Sequence, residues 1–427
     1  MNKSINVIVF TNDMCTGEKM NKSFYYLWVN ISFGKLSISL LIMTITFIIF
    51  LTTNSATFAS LVMLVYVIGK LLSSFILPVI SERVTLKRII NASLFIQLLI
   101  IVLILVLLKI EFIQLLRVTL IYSLVGLLGF MDGFCSPTRM ALIPEVVENK
   151  VLGRANSLIS TTDQTFSLLG WSLGAVVIHY YGGNVVIISS LILGIISFLS
   201  SLQFETNKIN KTKSRMKCKY LIIGWSILFS KQNHMRTITA MDVIEGIASG
   251  IWVGGITLVF VLDVLQKGEQ WWGFINTSYY AGSILGGILI ALYSKKLQKH
   301  LLFGIVIGSL LVSILVFLYA MNSNAWIALI LVVLMGPFYQ LRDISQQTYI
   351  QTVTARNELS KVYAAKDNVY YLIFAFSVFI TGLISDYLGV VYVYYFAFFL
   401  YLLSTIVAVT TFRKDMNNKV LKTESQG

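Results

Sequence analysis

Phe204 to Lys219 reads "FETNKINKTKSRMKCK", the one place in the chain where apolar side chains run out. The stretch carries neither the 3.6-residue period of a helix face nor the alternation of a strand, so it reads as a connection. Its position decides the architecture. A membrane span needs roughly 20 apolar residues, and runs of that size lie near 24–50, 58–80, 89–108, 115–138, 155–180 and 185–203 before it. Six more follow, near 236–262, 272–293, 301–320, 326–345, 362–384 and 388–411.

Composition agrees with a chain built for lipid. Of 427 residues 57% are hydrophobic and 12% charged, and the mean hydropathy is +0.81. No water-soluble domain covers that much apolar side chain with so few charges. The expected fold is an all-α integral membrane protein with twelve transmembrane helices in two six-helix bundles. The bundles run over 24–203 and 236–412, with tails at 1–23 and 413–427 and a linker at 204–235. Within the linker "YLIIGWSILFSKQ" is too short to span, and lysines flank it. It is either a helix lying in the membrane interface or a lead-in to span seven.

A net charge of +14 raises the question of nucleic acid, and the placement of the charges answers it. All but five of the 33 Lys and Arg residues fall in the tails and the even-numbered connections. The exceptions are Lys35, Lys70, Lys109, Arg117 and Lys267. This is the positive-inside pattern, which puts both termini in the cytoplasm of a protein of the cell membrane. No nucleic-acid partner is expected.

The 3 cysteines and 3 histidines are dispersed, which argues against a disulfide frame, a metal centre or any cofactor. An intramembrane enzyme would need a metal cluster or a nucleophile with its base, and none converges in the sequence. At the N-terminus "INVIVF" is too short for the apolar core of a signal peptide. "MNKS" occurs at Met1 and again at Met20, giving two candidate starts.

A fixed offset reveals an internal repeat. Shifted by 207, Leu152 falls on Leu359, Arg154 on Lys361, Tyr180 on Tyr387 and Gly182 on Gly389, while Ile143 and Val146 fall on Ile350 and Val353. Parallel six-span repeats build one large class of transporters, which hold substrate between the halves near the midplane.

The segments "SPTRMALIPEVVENKVLGRANSL" (Ser136–Leu158) and "LLGWSLGAVV" (Leu168–Val177) resemble the join between spans four and five in major facilitator superfamily exporters of the macrolide-efflux type. "MDGF" (Met131–Phe134) and "QQTYIQTVTARNELSKV" (Gln346–Val362) are similar to the enterobactin-exporter branch of that group. The resemblance implies the major facilitator fold and an efflux function. That family's signature between spans two and three, a Gly-x-x-x-Asp followed by basic residues, reads "PVISERVTLKR" here. Glu82 takes the acid position, Arg83 the first arginine, Lys87 and Arg88 the closing pair, and Pro78 the glycine. Such a cluster is a conformational switch, with the acid facing the positive end of another helix, or a topological charge cluster. In span five "FSLLGWSLGA" keeps Gly170 and Gly174, whose spacing lets a neighbouring helix approach closely. The intramembrane arginine many antiporters carry early in span four has no counterpart; Arg117 lies at the outer mouth.

Ionisable groups inside spans face a cavity or a partner, because in lipid each costs a few kcal/mol. Lys35, Lys70, Asp132, Asp163, Asp242 and Glu245 meet that description. Asp132 and Arg139 share a helical face with Ser136. The aspartate is either tied to Arg139 through water or that hydroxyl, or it carries a proton. The 207 offset places Lys35 on Asp242, which suggests a buried ion pair across the pseudo-twofold axis acting as a latch. Glu245 is the first candidate proton carrier, followed by Asp163, Asp242 and Asp132, since a carboxylate kept dry can load and unload a proton near neutral pH. Trp171, Trp252, Tyr279 and Tyr280 offer stacking surface to a bulky substrate, or they are helix-packing aromatics. Trp271, Trp272, Trp326 and Tyr392 to Tyr395 read as an outer aromatic belt.

These readings converge on a monomeric secondary exporter of a small amphipathic compound, such as a macrolide, in exchange for protons. The rival is export of an endogenous metabolite such as a siderophore.

Overall fold

The computed structural model describes residues 20–53, 56–110, 114–205, 219–252, 254–268 and 270–424. Residues 206–218 of the predicted linker and 1–19 of the N-terminal tail lie outside the described residues. The described chain is helical throughout. The first half holds α1 (Lys22–Thr53), α2 (Ala56–Arg83), α3 (Leu86–Lys109), α4 (Gln114–Val146), α5 (Leu152–Tyr181) and α6 (Gly183–Gln203). A short α7 (Lys219–Leu228) follows. The second half holds α8 (Met235–Ala248), α9 (Gly254–Asp263), α10 (Gln270–Leu292), α11 (Ser294–Lys299), α12 (Leu301–Ala320), α13 (Ala325–Val353), α14 (Leu359–Leu388) and α15 (Val390–Glu424).

Among the described residues ten helices are long and apolar enough to cross a bilayer. A bent pair, Gln232–Trp252 with Ile256–Asp263 at 50°, makes up to eleven. The run predicted near 236–262 is therefore broken, and the break falls in "ASGIWVGG", where a turn of tighter helix at Ser249–Trp252 interrupts α8 and α9. There the Gly250 N–H donates to Ser377 Oγ at 2.8 Å. Helix α5 is 30 residues long but does not join the ten, because "NSLISTTDQTFS" (Asn156–Ser167) gives it a polar face.

The repeat is visible in the backbone. Helix ends at Val146 and Val353 and starts at Leu152 and Leu359 stand in the same register as Gln347 and Met140, which are 207 positions apart and touch. Contact between equivalent residues is what a pseudo-twofold axis passing between them requires. Gly182 and Gly389, also equivalent, turn the chain between α5 and α6 and between α14 and α15 at φ 80 and φ 102, a region open to glycine and strained for other residues. Packing repeats too. Helices α2 and α4 pack against each other as α10 and α13 do, and the halves meet where α5 lies on α10 and α14 lies on α2.

Glycine makes the first of these contacts. An added Cβ at Gly69 would fall on the Gly126 carbonyl, at Gly129 on that of Tyr66, and at Gly282 on that of Val333. Backbones this close leave no room for a side chain. Gly129→Val is accordingly expected to lose about 3 kcal/mol or more, the upper end of overpacking penalties, because backbone has to move. Gly273→Ala, which meets nothing within 4 Å among the described residues, serves as control. Thermal melts of the two variants in detergent check this; equal melting would contradict it.

Three apolar cores result. One spans both halves at the end bearing the basic connections, joining Phe24, Leu86 and Leu152 to Met235, Leu359 and Phe412. The other two are private. Ile45, Ile104 and Val125 belong to a core of the first half, and Phe260, Tyr319 and Tyr394 to a core of the second. The halves are thus sealed together at the basic end and packed separately toward the other. Tyr394 is fully buried, so it leaves the predicted aromatic belt for the core, whereas Trp326 and Tyr392 are exposed. Helix α7 packs on α14 and α2 at the seam, its Gly224 against the Lys361 carbonyl.

Candidate functional site

In the first half α1, α2, α4 and α5 enclose a cavity of about 290 Å³. Ile31, Ile38 and Ile42 give it an apolar wall, and Lys35, Lys70, Asp132, Arg139 and Asp163 bring charge into it. Lys35 Nζ lies 2.5 Å from Asp163 Oδ2. Lys70 Nζ lies 3.0 Å from Asp132 Oδ2, an oxygen that also accepts from Tyr66 Oη at 2.7 Å. Arg139 is held differently. Its Nε donates to Asn30 Oδ1 at 2.9 Å, and its Nη2 to the Asn30 carbonyl at 3.2 Å and Ser197 Oγ at 3.4 Å. Gly34 makes this seat possible, since a Cβ there would fall on the guanidinium.

The second half builds an ionic cluster of its own. Asp242 of α8 accepts from Arg342 Nη2, Gln346 Nε2 and Lys366 Nζ, each at 2.8 Å. One helical turn on, Glu245 Oε1 accepts from Ser309 Oγ at 2.8 Å and Ser404 Oγ at 2.5 Å. Its Oε2 lies 2.8 Å from Arg342 Nε, yet that nitrogen makes no hydrogen bond, so the contact is ionic rather than directional. Arg342 therefore stands between two carboxylates and reaches Asp343 Oδ1 at 2.9 Å as well. Four helices, α8, α12, α13 and α15, converge on Glu245.

Polar contacts join the halves toward the basic end. Glu82, in the last turn of α2, pairs with Lys361 in the first turn of α14. Ser74 bonds Asn368, and Ser157 Oγ donates to the Gly287 carbonyl at 2.8 Å. Asn156 Nδ2 donates to Thr348 Oγ1 at 2.9 Å and Gln351 Oε1 at 2.7 Å. Asp367 of α14 comes up to Ser136 of α4. Lys70 sits 5.7 Å from the Tyr371 ring, which brings the cavity up to the second half.

Aromatic side chains gather in the second half. Trp252 Nε1 donates to Tyr339 Oη at 2.9 Å, and Tyr339 Oη to Tyr401 Oη at 2.8 Å. Ring centroids lie 5.9 Å apart for Trp252 and Tyr279 and 5.6 Å for Tyr279 and Tyr280. The side chain of Trp171 lies outside the described residues.

Several sequence expectations are corrected. Lys35 and Asp242 do not pair; α1 packs on α5 and α6 while α8 packs on α14 and α15, so each half neutralises its own interior charge. Asp132 is engaged by Lys70 and Tyr66 and Arg139 by Asn30 and Ser197, with no direct hydrogen bond between Asp132 and Arg139 among the described residues. Lys87 donates to the carbonyls of Leu202 at 3.0 Å and Phe204 at 2.6 Å, capping the carbonyl end of α6. Arg83 and Arg88 are exposed. Arg139, Arg342 and Lys361, counted by sequence among the basic connections, are 6%, 8% and 3% exposed. Arg342, Asp367, Tyr339 and Tyr401 are new to the site. Arg342 had a signal in the sequence, because the apolar run 326–345 contains it.

Comparison with known proteins places this architecture. The Major Facilitator Superfamily profile matches residues 27–335 and 265–427. The chain is 38% identical over 413 residues to the uncharacterized MFS-type transporter YfmI of Bacillus subtilis, covering 94% of this chain and all of that one. A bacterial homologue of the iron transporter ferroportin in its outward-facing state superposes with a TM-score of 0.75 at 12% identity, covering 91% of this chain and 99% of that one. The fucose:proton symporter FucP of E. coli follows at a TM-score of 0.68 and 12% identity, covering 91% and 98%. The chain belongs to the Major Facilitator Superfamily and is a multi-pass membrane transporter.

Proposed function

We propose that the protein is a secondary exporter that moves a small amphipathic compound out of the cell in exchange for protons, by alternating access of a site between its two halves. The observation that carries this reading is the division of the core: one joint core at the basic end and a private core for each half toward the other. With the basic connections in the cytoplasm, that arrangement is an outward-open state of a two-body rocker. Under this reading both termini are cytoplasmic, α5 and the bent α8–α9 pair complete twelve spans, and 24–203 and 236–412 are the moving bodies in the cell membrane. Glu82 with Lys361, and the polar contacts of α5 with α10 and α13, form the inner gate. A monomer suffices for this motion.

Glu245 is the leading proton carrier. Protonation removes the charge that holds Arg342, leaving the arginine to Asp242 and Asp343, so proton binding changes how α8 is tied to α13. Asp163, Asp242 and Asp132 are the remaining carriers, and Trp252, Tyr279 and Tyr280 offer stacking surface to substrate. Glu245→Gln is expected to slow uphill efflux of macrolides and dyes by roughly tenfold, within the range typical of coupled sites, and to blunt its sensitivity to an uncoupler. Inverted membrane vesicles check this; wild-type rates and wild-type uncoupler sensitivity would remove the assignment. A siderophore meets the same size and polarity, and a deletion strain scored for iron-dependent secretion against drug sensitivity separates the two cargoes.

A further inference from the structure

We propose that the cargo carries an acidic group, a carboxylate or a comparable oxyanion, and that Arg139 binds it. This rests on the transporter reading above and narrows it to a class of substrate.

Asp367 of α14 comes up to Ser136 in the cavity wall and lies within the field of Lys70. Lys35, Lys70 and Arg139 line the cavity with the carboxylates Asp132 and Asp163, and Arg139 is the one of these cations with no carboxylate bonded to it among the described residues. Both carboxylates are already matched, Asp163 by Lys35 at 2.5 Å and Asp132 by Lys70 at 3.0 Å. Asp132 lies close enough for its field to reach Arg139, but its Oδ2 is occupied by Lys70 and Tyr66. Arg139 is 6% exposed, and its described hydrogen-bond partners, Asn30 and Ser197, are neutral. Nη1 makes no hydrogen bond to a described residue. A guanidinium that is always charged, fixed by neutral partners on one edge and open on the other, is a ready two-point site for an oxyanion. Desolvation by the surrounding apolar residues is repaid when an anion arrives.

The rest of the cavity says what the anion is attached to. Ile31, Ile38, Ile42 and Met63 face the same space, which excludes a bare inorganic ion as the best fit and favours an organic body with one acidic end. Lys35, with its side chain 55% exposed, supplies a second cation at the rim and steers such a ligand inward.

Three probes with one apolar body test this: 1-pyrenebutyrate, its primary amide and 1-pyrenebutylamine. Binding to the purified full-length protein in detergent is read from pyrene fluorescence, and transport from uptake into proteoliposomes. The carboxylate is expected to bind about tenfold or more tightly than amide and amine, as close charge pairing at a desolvated site gives. Arg139→Gln should erase that preference, and Arg139→Lys should keep most of it; a thermal melt of each variant establishes that it is folded. Amide or amine binding as tightly as the carboxylate overturns the proposal, as does a folded Arg139→Gln variant that retains the preference. Binding preference without uptake of any probe or drug would uphold the anion site and count against the transporter reading instead.

Discussion

Replacing Arg342 with Gln is expected to lower folding stability by about 3–5 kcal/mol, the usual result of removing one partner from a buried ion pair. The side chain is 9% exposed and touches three carboxylates, those of Asp242, Glu245 and Asp343. They do not suffer equally. Asp343 is 60% exposed and has water. Asp242 keeps Lys366 and Gln346, each at 2.8 Å. Glu245 keeps two serine hydroxyls and no cation within ion-pair distance among the described residues, so most of the loss falls on it. Adding Glu245→Gln to Arg342→Gln should therefore recover a large share of the loss, because an amide in that place no longer needs a counter-charge. Arg342→Lys should recover little, since a single ammonium cannot reach both carboxylates as the guanidinium fork does. Thermal melts of the two single variants and the double variant measure the coupling directly. An Arg342→Gln variant melting as the wild type does would mean that the Arg342 cluster is not what ties α8 to α13.

The membrane class was legible because it depends on local composition. Hydropathy finds a span from about 20 consecutive residues, and a polar linker is visible wherever it falls. Helix α5 shows where that approach stops. Its polar face exists because it lies against α10 and α13 of the other half, and no window of sequence contains that neighbour. The pairings were illegible for the same reason. Lys35 and Asp163 are 128 positions apart and Arg342 and Asp242 are 100 apart, and charge alone does not choose among partners at that separation. Symmetry was informative about backbone and misleading about chemistry. Gly182 and Gly389 occupy equivalent turns, yet the equivalent positions Lys35 and Asp242 each found a partner within their own half. Counting basic residues fixed the basic end but absorbed Arg139, Arg342 and Lys361 into it, although their guanidinium and ammonium groups are buried. The acids were found by their placement inside spans, whereas these cations were read as connections because they sit within a few turns of a helix end.

The two halves are sealed at the basic end, and the proposed alternating access requires that seal to break in every cycle. Gly153 of α5 and Ser294 of α11 meet there across the seam, where a Cβ on the glycine would lie 3.8 Å from that of the serine. That is the mean separation in a disulfide. With Cys15, Cys135 and Cys218 replaced by Ser, the pair Gly153→Cys and Ser294→Cys should cross-link readily under mild oxidation in membrane vesicles. A bond at that point holds α5 to the second half, so the oxidised protein should lose essentially all transport and regain it on reduction. Cross-linking without loss of transport would mean that the basic end never opens, and the rocking of two halves about a central site would have to be abandoned.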